Sequence, residues 1–364
     1  MTISQKLLMS AKKGAVWDGA YYVAANRNGS LRGNRLFKYI PGVSFVEDVD
    51  KIEFSSIQYG GKCAFSGDGH YLCLAQYLDK GGSYDNVIYK WDGTKWAIDQ
   101  TNIGTQSTST AMNNVVLNSD GSTLTAAGDT FSADPYPING IVTLSRTGSS
   151  WTQTNKPATD LGSEPISGYR VTNLGADDIL AGLRLANGQS DWFLLEANGA
   201  NLDLLDNGGS NEYQLSATDD ATRFIQGSNT STIGFKTYSW NGTTATLLTD
   251  PSGVTDRHQG CVISPDGTQV AASHYDGKLD IYTWSGTQYV FEQALYTGAT
   301  GKRDDAVLWT DDSQHLVHRT ETYPYIYSYD RTGDSWVAGV SASYTAEDPN
   351  SNFYNFTMTK GTPT

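Results

Sequence analysis

Two kinds of tight turn alternate along this chain, and the pair recurs about every 43–55 residues. The first kind carries an acid, usually followed by glycine: Asp18-Gly19, Asp68-Gly69, Asp120-Gly121, Asp177-Asp178, Asp219-Asp220, Asp266-Gly267 and Asp311-Asp312. The second carries a glycine among polar residues: Gly42, Gly93, Gly148, Gly199, Gly242, Gly286 and Gly333. Asp suits such a turn because its carboxylate accepts nearby backbone N–H groups, and glycine reaches positive φ without a Cβ penalty. Between the turns lie runs that alternate apolar and polar residues, the period of a strand. Each unit is therefore two hairpins, or four antiparallel strands. Seven such units predict an all-β chain folded as a seven-bladed β-propeller of four-stranded antiparallel blades.

The unit from Cys261 to Gln293 shows the grammar most plainly. Cys261-Val262-Ile263 reads as the innermost strand, Ser264-Pro265-Asp266-Gly267 as the turn, and Gln269–Ser273 as the second strand. Leu279–Trp284 is the third, and Ser285-Gly286-Thr287 reverses the chain into Tyr289–Glu292. Outer strands open at Phe45, Trp96, Trp151, Leu202, Thr246, Tyr289 and Trp336, and these mostly large residues are expected to pack between blades. A last alternating stretch, Phe353–Met358, is expected to complete the first blade, so that the chain termini pair and no sheet edge is left open. Residues 14–364 then form the propeller, and residues 1–13 are an N-terminal anchoring segment.

The balance of charge removes several partners. The formal net charge of −14 leaves no basic footprint for nucleic acid, and the same sign disfavours anionic membrane surfaces. No apolar run is long enough to span a bilayer, so membrane insertion is not expected. The N-terminal patch Leu7-Leu8-Met9 lacks the pattern of a Sec signal peptide. Cys63, Cys73 and Cys261 are too few for a disulfide framework and read as small buried residues, with a Cys63–Cys73 bridge left open.

Residue types that carry chemistry are sparse. His70, His258, His274, His315 and His318 show no zinc-ligand spacing, and His315 and His318 should point to opposite faces of one strand. Asn118-Ser119-Asp120-Gly121 begins like a calcium loop, but Leu124 and Thr125 stand where further ligands are needed. There is no Gly-x-Ser-x-Gly elbow and no phosphate-cradling loop. The expectation is a non-enzymatic protein with no catalytic residue, no metal and no cofactor, a polysaccharide-cleaving enzyme being the weaker reading.

Binding is expected on one end of the ring. Both turn series fall on one face, whereas the links between second and third strands and between blades fall on the other and vary widely in length. Those links are rich in Ser, Thr, Asn, Gly and Tyr, a composition suited to polar recognition. Tyr77, Tyr84, Tyr136, Tyr275, Tyr296 and Tyr323 are the contact residues expected on this long-loop face.

Ser66 with Asp68-Gly69, and Ser264 with Asp266-Gly267, resemble the Phe-Ser-Pro-Asp-Gly blades of WD40-like propellers. The run Val87-Ile88-Tyr89-Lys90-Trp91-Asp92-Gly93-Thr94-Lys95-Trp96 resembles propellers of bacteriophage virion proteins, and Gln5–Ala11 resembles the short N-termini of phage tail and minor structural proteins. The resemblance implies a virion structural protein of tail, fibre or capsid decoration. Its partners would be other virion proteins and, for host attachment, a surface glycan or outer-membrane protein. The alternative is a bacterial extracellular or periplasmic propeller, lectin-like or scaffolding.

Overall fold

The computed structural model describes residues 19–27, 35–52, 63–74, 87–101, 112–128, 141–157, 165–174, 178–185, 190–198, 201–208, 212–228, 234–254, 258–274, 278–295, 307–319, 326–342 and 353–363. They form seven four-stranded antiparallel blades, with a single 3-10 turn at Val49–Lys51 among the described residues. Blade 6 is representative: His258–Ile263, Gln269–His274, Leu279–Trp284 and Tyr289–Leu295 pair in chain order. Cys261, Ile263, Val270, Ala272 and Tyr282 all turn one way, toward blade 5, as the period of two requires.

The core is a set of seams. Seven buried apolar clusters are present among the described residues, and each joins two neighbouring blades. Aromatics fill them as expected: Phe45, Trp96, Trp151, Tyr289 and Trp336, all at the start of outer strands, are buried. Thr246, at the same place in blade 5, is exposed. Trp96 and Tyr289 also reach back along their own blades, donating to the carbonyls of Gly69 and Gly267 at 2.8 Å. Each thus buries a ring and satisfies its one polar handle at a turn.

The ring closes through the chain ends. The C-terminal strand Phe353–Lys360 pairs antiparallel with Tyr21–Arg27, which is followed by Arg35–Ile40 and Ser44–Glu47. Blade 1 therefore borrows its first strand from the far end of the sequence, as expected from Phe353–Met358. Its first turn is consequently split, and Gly361 N–H donates to the Ala20 carbonyl at 2.9 Å to hold the two halves together.

The turn face is a girdle built from one repeated device. Ser66, Thr218, Ser264 and Thr310 each donate a hydroxyl to Asp68, Asp220, Asp266 and Asp312 at 2.6–2.7 Å. Each carboxylate also accepts a backbone N–H two residues on, from His70, Thr222, Thr268 and Gln314. In the acid pairs Asp219-Asp220 and Asp311-Asp312 the second acid is thus the counterpart of Asp68. Ala221 and Ser313 then take the left-handed conformation that Gly69 and Gly267 hold elsewhere (φ 58° and 59°). The turns also bond around the ring, Asp68 N–H to Ser119 and Asp219 N–H to Pro265.

Cys63 and Cys73 are not bridged, and all three cysteines are free and buried. Cys63 pairs with Leu74 and Ala64 with Cys73, an offset of one that sends the two thiols into different seams. The anchoring segment expected at residues 1–13 lies outside the described residues.

Candidate functional site

Three strands of blade 6 bring a titratable group to one point. His258 opens the first strand, His274 ends the second and Asp280 lies near the start of the third. All three therefore sit at the end of the blade opposite the Asp266-Gly267 turn, on the long-loop side. The hairpin register places His258 directly across from His274. His274, Asp280 and Tyr282 share the face toward blade 5, following the alternation set by Val270 and Ala272.

The geometry is compact and dry. His258 Nε2 lies 3.0 Å from His274 Nε2, His274 Nε2 lies 2.6 Å from Asp280 Oδ2, and His258 Nε2 lies 3.3 Å from the same oxygen. The three side chains expose 0%, 4% and 4% of their surface. Phe235 of blade 5 and Tyr282 stand edge-on to the His258 ring, with centroids at 6.3 and 5.6 Å. Gly234 (φ +67°) makes this approach possible, because a Cβ there would lie 2.5 Å from His258 Nδ1. Burial works against an ionised Asp280, but hydrogen bonds and charge from His258 and His274 outweigh it and hold the carboxyl at about 2. The arrangement offers two imidazole nitrogens and one carboxylate oxygen, a donor set suited to a transition-metal ion or to relaying a proton.

Sequence spacing misses this group because its members are far apart in the chain and match no local motif. The hairpin register alone does not pair the two rings: a shift between His258 and Gly260 is what brings His258 opposite His274, and the sequence carries no mark of it. Of the other histidines, His315 Nδ1 contacts Asp330 Oδ1 at 2.7 Å beside the turn face, and His318 is buried on the same strand. Tyr77, Tyr84, Tyr136, Tyr275, Tyr296 and Tyr323 all lie outside the described residues, so the structure neither assembles nor separates them.

A seven-bladed propeller carrying a buried His/His/Asp cluster at its long-loop end is what fold and geometry define. No family model matches the chain, and no curated protein matches it. Solved structures do. The periplasmic gluconolactonase of Pseudomonas aeruginosa aligns with a TM-score of 0.63 at 13% identity, over 94% of this chain and 97% of that one. A candidate 6-phosphogluconolactonase from Bacteroides fragilis aligns with a TM-score of 0.67 at 12% identity, over 95% and 99%. A protein from Lactobacillus plantarum gives 0.65 at 12%, over 92% and 100%.

These neighbours share the fold, and they correct the expectation of a virion component. Two of the three structures named carry lactonase descriptions, and none of the three is described as a phage or virion protein. The expectation of a non-enzymatic chain is overturned with it. The cause of the misreading is physical: Asp-Gly turns and Trp-led outer strands serve hairpin geometry and seam packing in any propeller. They specify the ring and carry no information about where it works.

Proposed function

We propose that this chain is a bacterial periplasmic propeller of the gluconolactonase kind, opening a sugar lactone at its long-loop face. The observation that carries this reading is the end-to-end alignment with the periplasmic gluconolactonase. In the reaction water adds to the lactone carbonyl, the ring C–O bond breaks, and the alkoxide so released takes a proton, giving the open aldonic acid. A base for the water and a donor for the alkoxide are the minimum requirement. The net charge of −14 favours a neutral lactone over a phosphorylated one, since like charge slows encounter and weakens binding. Tyr77, Tyr84, Tyr136, Tyr275, Tyr296 and Tyr323 are proposed to hold the sugar ring, their amphipathic faces suiting a polyol.

The test is acid release from D-glucono-δ-lactone, followed at constant pH against the spontaneous rate, with 6-phosphogluconolactone in parallel. Faster release from the neutral lactone supports the reading. Release at the buffer rate from both removes it. A lectin-like propeller, favoured by the Ser/Thr/Asn/Tyr-rich links, would instead bind the sugar calorimetrically without turnover.

A further inference from the structure

We propose that His258, His274 and Asp280 bind a divalent transition-metal ion of the zinc class at the seam between blades 5 and 6. The site is independent of whether the chain opens lactones.

The three side chains converge as a donor set: His258 Nε2, His274 Nε2 and Asp280 Oδ2 lie within 3.3 Å of one another in a seam closed to solvent. A neutral imidazole carries one N–H. With both protons on Nε2, two N–H groups on nitrogens 3.0 Å apart aim at the single oxygen Asp280 Oδ2. With the His258 proton on Nδ1, His274 Nε2 donates to Asp280 Oδ2 and the bare His258 Nε2 faces the Tyr282 hydroxyl at 3.4 Å. Both distributions crowd the three atoms about one point in surroundings that screen poorly. A cation at that point is met by a lone pair from each of the three atoms once both imidazoles carry their proton on Nδ1.

The dimensions agree. A metal bound by imidazole nitrogen and carboxylate oxygen sits about 2.0–2.2 Å from each donor. The triangle of 3.0, 3.3 and 2.6 Å sides admits such a point, roughly 2.1 Å from every vertex and about 1.2 Å out of its plane. Two nitrogens and one oxygen select zinc, iron(II) or cobalt(II) over calcium and magnesium, which demand oxygen. Three protein ligands leave a coordination position open, the pattern of catalytic rather than purely structural zinc. The supporting shell is in place, with Phe235 and Tyr282 packed edge-on against the His258 ring and Gly234 admitting it to the seam.

The full chain, stripped by dialysis against a chelator, is titrated calorimetrically with zinc, and the bound ion is counted by elemental analysis. A single zinc per chain is expected. Cobalt(II) should give visible absorption of a four- or five-coordinate nitrogen/oxygen site. His274→Gln and Asp280→Asn should each weaken zinc at least about 100-fold, beyond the 10–100-fold typical of losing an outer-shell partner. Circular dichroism of the metal-free variants reports whether they fold. Should both fail to fold, the wild-type cobalt spectrum and zinc-induced shifts of exactly two histidine Nε2 resonances decide instead. No bound zinc in the wild type, unchanged affinity in a folded variant, or cobalt bands without histidine shifts would each overturn the site.

Discussion

Tyr21 donates its phenol to Asp311 Oδ1 at 2.7 Å, tying blade 1 to blade 7 across a separation of 290 residues in sequence. Asp311 also receives Lys360 Nζ at 2.6 Å, so one carboxylate holds both ends of the chain at the closing seam. Burial first, and then Asp311, push the Tyr21 phenol far above its ordinary value, which keeps it a donor at every working pH. Tyr21→Phe keeps the packing of the ring and removes this bond. It should cost about 1.5–3 kcal/mol, as for a hydrogen bond to a charged group, measured by urea denaturation.

Removing residues 353–364 tests closure more severely. Tyr21–Arg27 would lose its antiparallel partner and present an unpaired edge. The truncated chain should self-associate or unfold in more than one step, as light scattering and denaturation profiles would show. A monomer with a single sharp transition would mean the C-terminal strand is dispensable to the ring.

Turn glycines should separate by what lies behind them. At Gly121 (φ +67°) a Cβ would come within 2.2 Å of the Tyr71 ring in blade 2, whereas at Gly286 (φ +100°) it meets nothing within 4 Å. Gly286→Ala should therefore cost only its backbone strain, about 1–2 kcal/mol. Gly121→Ala should cost about 2–5 kcal/mol, strain and overpacking together. Equal losses at both sites would show that the turns do not wedge between blades.

The ring was legible because its determinants are local. Gly42, Gly93, Gly148, Gly242, Gly286 and Gly333 mark outer hairpins in the sequence, and all hold positive φ in the structure. The C-terminal strand was legible too, since Phe353–Met358 alternates without a partner nearby. What escaped depends on register and on contacts between blades. Asp311 reads as a turn acid, but Asp312 fills that role and frees Asp311 to close the ring. His258, His274 and Asp280 meet only when a hairpin folds and a third strand lies beside it. No fixed spacing encodes that, which is why a motif search passes over them.

His318 should make the protein lose stability on mild acidification. Burial, aided by the Arg319 charge, lowers it from the ordinary 6.5 to about 3, so the folded state keeps the ring neutral. Below about pH 6.5 the unfolded chain binds a proton that the folded chain refuses, and stability falls as pH drops toward 3. His318→Leu removes this proton uptake. Its urea midpoint should vary less than wild type between pH 7 and pH 4.5, even if the variant is weaker at pH 7.

The turn carboxylates act in a lower window. Asp266 is disfavoured by partial burial, but hydrogen bonds from Ser264 and Thr268 outweigh this and hold it below the ordinary 3.8; Asp220 is lowered in the same way by Thr218 and Thr222. A folded carboxyl depressed below its unfolded value contributes stability that is complete above about pH 4 and is lost as pH falls through the folded value. Asp266→Asn keeps an oxygen that can accept the Thr268 N–H, but abolishes the charge. The variant should be less stable than wild type at pH 7, with the gap closing as both are taken from pH 4.5 to pH 2.5. A gap that stays constant across that range would mean the carboxylate serves only by shape, and that acid unfolding begins elsewhere in the ring.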